Sequence, residues 1–273
     1  MFRLEQKRTK YTSAYSMLEL IFHSAVRNIR KSHGNAVWGL VLSIIHSLIM
    51  VMVMLTLANV LGMKRAAVRG DFMLYTMSGV FMYMTHSKTL QAVAKADGPT
   101  SAMMKHSPMN VIVAISAAAL GALYQQTLSA GVILFFYHSM ITEITIDQPI
   151  QMMGMFLLAW ASGIGVGMIF KAATPWAPDF FGLLTMIYAR ANMIASGKMF
   201  LANMMSTTLL SWFNWNPLFH IIDQARGFIF LNYSPHFSSI QYPVIVTLIL
   251  VMIGLMGEYY TRAYASASWG ARG

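Results

Sequence analysis

The chain is 273 residues long, 57% apolar and only 10% charged, with a mean hydropathy of +0.56; a soluble domain carries about 25% charged residues, so composition argues against a soluble enzyme or a nucleic-acid binder. The formal charge of +10, from 19 Lys and Arg against 9 Asp and Glu, is what basic cytoplasmic loops give a membrane protein and requires no polyanion partner. The absence of cysteine rules out a disulfide framework, a Cys-ligated zinc or iron–sulfur site and a cysteine nucleophile.

Residues 1–36 read as a cytoplasmic, interfacial lead-in. No cleavable leader is expected, because the first long apolar run starts only at Val37 and exceeds a signal h-region. Within the lead-in, Leu18, Ile21, Phe22, Ala25 and Ile29 recur at helical spacing, with Glu19, His23, Arg27, Arg30 and Lys31 largely opposite. That pattern predicts an amphipathic helix lying in the headgroup layer. His33-Gly34-Asn35 breaks it, and Trp38 stands where an interfacial anchor belongs.

A bilayer core of ~30 Å takes ~20 mostly apolar helical residues. Six runs are read as spans: Val37–Gly62, Phe72–Ser87, Val111–Tyr137, Met152–Phe170, Phe180–Phe200 and Ile240–Gly257. The second is short and is bounded by Lys88; the fifth contains Arg190 and Lys198. The expectation is one all-α membrane domain, with a six-span bundle over 37–259 and a tail at 260–273. With the N-terminus inside, inner segments hold thirteen Lys and Arg and outer segments five, with Arg190 inside a span. This asymmetry places both termini in the cytoplasm. The basic loop at 63–70 runs against the rule.

Two connections carry more than loop sequence. Lys88–Ala96 can continue as a helix until Asp97-Gly98-Pro99 turns it. The outer stretch 201–241 is too apolar for a free loop and is interrupted at Asn216-Pro217 and Ser234-Pro235. Short helices that enter the outer leaflet and turn back account for it; such backbone survives only against protein or a water-filled path.

No G-x-x-x-x-G-K-[ST] phosphate loop occurs. Gly163, Gly165 and Gly167 lie inside the fourth span rather than after a strand, so they read as a packing face with Ala159 and Ser162. His46, His86 and His138 fall in or near spans, and nothing in their spacing specifies a haem pair. Neither a G-x-S-x-G elbow nor an H-E-x-x-H helix is present. Arg190 is the most costly residue to insert, at ~2.5–3.5 kcal/mol near mid-span, so it must face protein or water. Tyr188, Asn192 and Ser196 share a polar strip with Phe181 and Thr185. Arg190 either lines a hydrated path and meets an anionic group of a substrate, or pairs within the bundle, for example with Asp179. Tyr188 and Arg190 fall on different faces, so they cannot line one narrow path. Tyr75 and Tyr83 share a face of the second span, suited to stacking on sugar rings or to core packing.

The segment Trp215-Asn216-Pro217-Leu218-Phe219-His220-Ile221-Ile222-Asp223-Gln224-Ala225-Arg226 resembles the W-N-P-L-x-H-x-x-[ED]-x-x-R stretch before the last span of type-2 ABC exporter permeases. The nearest group is the membrane subunit of capsule polysaccharide exporters, with O-antigen exporters beside it. Ala25–Arg30 with Gly34 and Trp38, Gly163–Phe170, and Lys105-His106-Ser107-Pro108 are similar to further parts of that family. The resemblance implies a homodimeric channel in the bacterial inner membrane that exports a lipid-linked or growing polysaccharide. ATP and Mg would be held by a separate ATP-binding subunit; this chain would hold no cofactor or metal and would not itself be an enzyme. Lys88, Lys95 and Lys105 would belong to the coupling loop that touches the ATPase. Trp215, Asn216, Pro217, His220, Asp223 and Arg226 would form the exit gate, with periplasmic export proteins beyond it. Another polymer, a lipid or a drug as substrate, or a membrane-embedded haem or enzyme subunit, are the alternatives.

Overall fold

In lipid every backbone N–H and C=O must be satisfied within the protein, so the charge-free runs have little option but helix. The structure, a computed structural model, describes residues 10–33, 36–60, 71–98 and 110–264. Helix is the dominant regular form among them, and no strand is present among the described residues. Among the described residues the helices are α1 (Lys10–His33), α2 (Ala36–Val60), α3 (Phe72–Ala94), α4 (Val111–Met140), α5 (Pro149–Ala173), α6 (Pro178–Ala195), α7 (Thr207–Phe213), α8 (Pro217–Ile229) and α9 (Gln241–Tyr264), with a 3₁₀ turn at Ala202–Met204. The basic loop 63–70, Gly34 and the stretch holding Lys105 to Pro108 lie outside the described residues.

Among the described residues, four helices are long and apolar enough to cross a bilayer: Val37–Val60, Val111–Met140, Pro149–Ala173 and Gln241–Tyr264. Over its described residues the protein therefore has helix as its regular structure, with apolar helices suited to a membrane. α3 and α6 are 23 and 18 residues long but more polar. α3 carries Thr76, Ser78, Thr85, His86, Ser87 and Thr89, all buried. It sits at the centre, packed by α5, α4, α8 and α2, so its polar groups find protein rather than lipid. His86 Nδ1 meets Ser162 Oγ at 2.8 Å, and Thr85 and Ser78 bond back to carbonyls of their own helix. α6 is the opposite case: only Asn192 is buried along its whole length.

The second apolar run is longer as a helix than its charge-free limits suggest. Asp71 caps it at the start, accepting from the Met73 N–H at 2.9 Å and from the Tyr137 hydroxyl at 2.5 Å. It then runs seven residues past Ser87, carrying Lys88 inside the helix. The fifth run is shorter. It ends at Ala195, where Ser196 and Gly197 turn the chain, Gly197 at φ +63°. α1 packs on α4 through Ser24 and Ala25, while Leu18 and Phe22 remain outward and exposed.

Hydrocarbon tails are as apolar as Leu, so helices in a bilayer hold together by close packing and polar bonds rather than by hydrophobic burial. α5 shows how. A Cβ on Gly163 would lie 2.5 Å from the His86 carbonyl oxygen, and one on Gly167 would lie 2.8 Å from that of Leu90. Only glycine lets α3 and α5 approach this closely. The seam is flanked by Trp160 Nε1 donating to the Ala119 carbonyl (2.8 Å) and by Lys171 Nζ donating to the carbonyls of Ala96 (2.8 Å) and Asp97 (3.0 Å). Gly167→Leu is expected to force the two backbones apart and destabilise the protein by about 1–3 kcal/mol. Denaturant unfolding in detergent measures it, and an unchanged midpoint would show that the seam tolerates a side chain.

Candidate functional site

The Trp215–Arg226 segment folds as the turn between α7 and α8 followed by α8 itself. Asn216 is the N-cap: its Oδ1 accepts from the Leu218 N–H at 3.0 Å, and Pro217 occupies the first helical position, where no amide donor is needed. Its Nδ2 donates outward, to Asn192 Oδ1 at 2.6 Å and to the Ala195 carbonyl at 2.8 Å. One side chain thus starts α8 and ties it to the end of α6.

His220, Asp223 and Arg226 succeed one another at three-residue spacing and are all buried. They serve three neighbours. His220 Nε2 faces the Asn214 carbonyl at 2.8 Å and so donates, while Nδ1 accepts from the Ser239 N–H at 3.1 Å. These partners fix the neutral Nε2–H tautomer. Asp223 accepts from the Tyr233 hydroxyl (2.5 Å), the Ser238 hydroxyl (2.6 Å) and the Ala202 N–H (3.4 Å). It therefore holds the chain on both sides of α8. Burial, and then the Asp223 carboxylate, push the Tyr233 phenol above its ordinary pKa, so Tyr233 remains a hydrogen-bond donor.

Arg226 has 0% exposure. Nη1 donates to the Phe200 carbonyl at 2.7 Å and Nη2 to the Lys198 carbonyl. The guanidinium lies over the Tyr75 ring, 4.0 Å from its centroid. Among the described residues no carboxylate lies within ion-pair distance of it. Gly79 makes room: a Cβ there would be 2.8 Å from Nη2. Lys198 is also buried, and its Nζ sits 3.7 Å from the centroid of Tyr83. Tyr75 and Tyr83, two turns apart on α3, are thus floors for the buried Arg226 guanidinium and the buried Lys198 amine. The Tyr83 hydroxyl donates to the Ala189 carbonyl at 3.0 Å, linking α3 to α6.

A second feature lies along α6. A cleft of about 380 Å³ opens between α3 and α6, with Arg190, Lys95, Gln91, Thr185, Thr174 and Tyr83 on its walls. Arg190 is exposed and forms no ion pair with Asp179. Tyr188 points elsewhere, its hydroxyl 3.5 Å from His86 Nε2 and its ring against Phe170, so the two residues do occupy different faces. Asn192 is committed to Asn216. Lys88 and Lys95 are in or at the end of α3; Lys105 lies outside the described residues. Trp215 is exposed, and its carbonyl accepts from the Tyr242 hydroxyl at 2.6 Å.

The site draws on residues that sequence reading did not single out: Lys198 as a partner, Phe200, Tyr233 and Ser238. Only the Ser234-Pro235 turn hinted that the chain folds back here. Among the described residues no three His, Cys, Asp or Glu side chains come close enough to hold a metal ion. No protein-family model matches the chain, and no curated protein matches it.

Arg226→Ala would leave two buried carbonyls without a donor and is expected to destabilise the fold by about 3–5 kcal/mol. Tyr75→Phe, which keeps the ring and removes a phenol that has no hydrogen-bond partner, is expected to stay within about 0.5 kcal/mol of the parent. Unfolding in detergent compares the pair. A neutral Arg226→Ala would remove Arg226 as the tie between these elements.

Proposed function

We propose that the protein is the membrane subunit of an ATP-driven exporter that moves a cell-surface polysaccharide, capsular or related and lipid-linked, across a bacterial inner membrane. The observation that carries this reading is the cleft between α3 and α6, whose largely apolar wall, with Ala94, Met186, Ala189 and Met193, is edged by Lys95, Arg190, Thr174, Thr185, Gln91 and Tyr83. A long polymer of sugar rings with anionic groups needs a path that offers both apolar surface and such polar groups rather than a compact ion site. Arg190 would meet an anionic group on the substrate.

In this reading α3 and α6 are spans as well, giving six crossings with both termini in the cytoplasm. At 18 residues α6 covers about 27 Å, close to the hydrocarbon thickness. Its outward residues, among them Phe180, Leu183 and Ile187, are exposed in the single chain; a second copy would cover part of that surface and complete the channel. The chain has no phosphate loop, so ATP and Mg belong to a separate subunit docked near the end of α3. The Trp215–Arg226 turn and α8 would form the outer exit, held closed by the Arg226 and Asp223 bonds, with periplasmic export proteins as further partners.

Surface-glycan analysis of a deletion strain tests the reading: glycan should vanish outside and accumulate inside, and the chain should co-purify with an ATP-binding subunit. Loss of a lipid or teichoic acid-like polymer instead would reassign the substrate. Arg190→Ala is expected to abolish most export while membrane insertion and dimer formation stay normal. Normal export by that variant would take Arg190 off the path.

A further inference from the structure

A second cation-lined recess, larger than the α3–α6 cleft, lies among α1, α3 and α4, and Lys95 at the end of α3 borders both. It measures about 540 Å³. Arg27 of α1 and Lys88 and Lys95 of α3 line it, against one carboxylate, Asp97, among the described residues. The Lys88 and Lys95 amines make no hydrogen bond or ion pair with any described residue. The two lysines are seven residues apart, two helical turns, so they present their charges on one face about 10 Å apart along the axis.

Placement decides what these charges are for. Lys88 is half-buried and lies within α3, not on a protruding loop. It is six residues before Ala94, about 9 Å inside the helix end. An amphipathic helix with exposed Leu18 and Phe22 supplies the opposite wall, which sets this end of the bundle at headgroup depth. The floor is made of small apolar residues, Ala114, Ala118 and Gly121. A cationic rim above a shallow apolar floor fits an amphiphile. A free anion would have no use for the floor, and an acidic protein segment could not reach Lys88 without entering the headgroup layer.

We propose that this recess is a binding site for the phosphate-bearing headgroup of an anionic membrane phospholipid, with Lys88 and Lys95 on the phosphate and the glycerol region against Ala114, Ala118 and Gly121. The site requires that the chain lie in a membrane but not that it export a polymer, although Lys95 is shared with the α3–α6 cleft. It gives Lys88 a role in seating α1 on the bundle through a lipid.

Full-length protein, delipidated in detergent, is titrated with short-chain phosphatidylglycerol, short-chain phosphatidylcholine and inorganic phosphate, and bound species are counted by native mass spectrometry. Phosphatidylglycerol should bind, the Lys88→Ala/Lys95→Ala double variant should bind it roughly thirtyfold more weakly, and Arg262→Ala should bind as the parent does. Equal binding of phosphatidylcholine, equal binding of inorganic phosphate, or an unaffected double variant overturns the proposal. Should the double variant fail to fold by circular dichroism, the parent is labelled in vesicles with photoreactive phosphatidylglycerol. Label on 24–29, 88–96 or 114–125 supports the site; label confined to α2 and α9 overturns it.

Discussion

A buried guanidinium with no carboxylate beside it needs carbonyl oxygens and an aromatic face arranged around it before it can be enclosed. Arg226 imposes that requirement on three parts of the chain. The turn after α6 must deliver the Lys198 and Phe200 carbonyls, α3 must present Tyr75, and position 79 must be free of a side chain. α8 can only sit where these meet. Asp223, one turn earlier, then collects the Tyr233 and Ser238 hydroxyls, which fixes the path of the chain into α9.

The central position of α3 follows from the same requirement. In a bilayer, a helix with seven polar residues between Thr76 and Thr89 has to be surrounded by protein. α5 approaches it along Gly163 and Gly167, α4 and α2 close one side, and α8 the other. The helices at the edge, α2 and α9, are apolar outward and carry few polar obligations. Their exposed Leu, Ile, Met and Val side chains meet lipid at no cost.

Sequence pattern resolved those parts of the fold whose cause is local. The runs at Val37, Val111 and Met152 and the one ending at Gly257 announce apolar helices by length and lack of charge, and Asn216-Pro217 marks an interruption of the outer stretch, which the structure makes the start of α8. The limits of α3 and α6 were less legible, because charge-free length is not helix length: Lys88 is carried inside α3, while Ser196-Gly197 ends α6 before Phe200. In the site, Asn216, His220, Asp223 and Arg226 stand out as polar residues in an apolar stretch. Their partners do not. Tyr75 meets Arg226 across about 150 positions and Tyr83 meets Lys198 across about 115, and no periodicity or spacing encodes pairings that the tertiary fold creates.

The Lys171 ammonium clamps the carbonyls of Ala96 and Asp97 just past the end of α3, the Thr261 hydroxyl donates to the Ala172 carbonyl, and a Cβ on Gly254 would lie 2.6 Å from that of Met168. α3, α5 and α9 are therefore tied together at this end of the bundle. The end of α3 cannot shift without breaking bonds to α5, whereas α6 touches its neighbours through few residues.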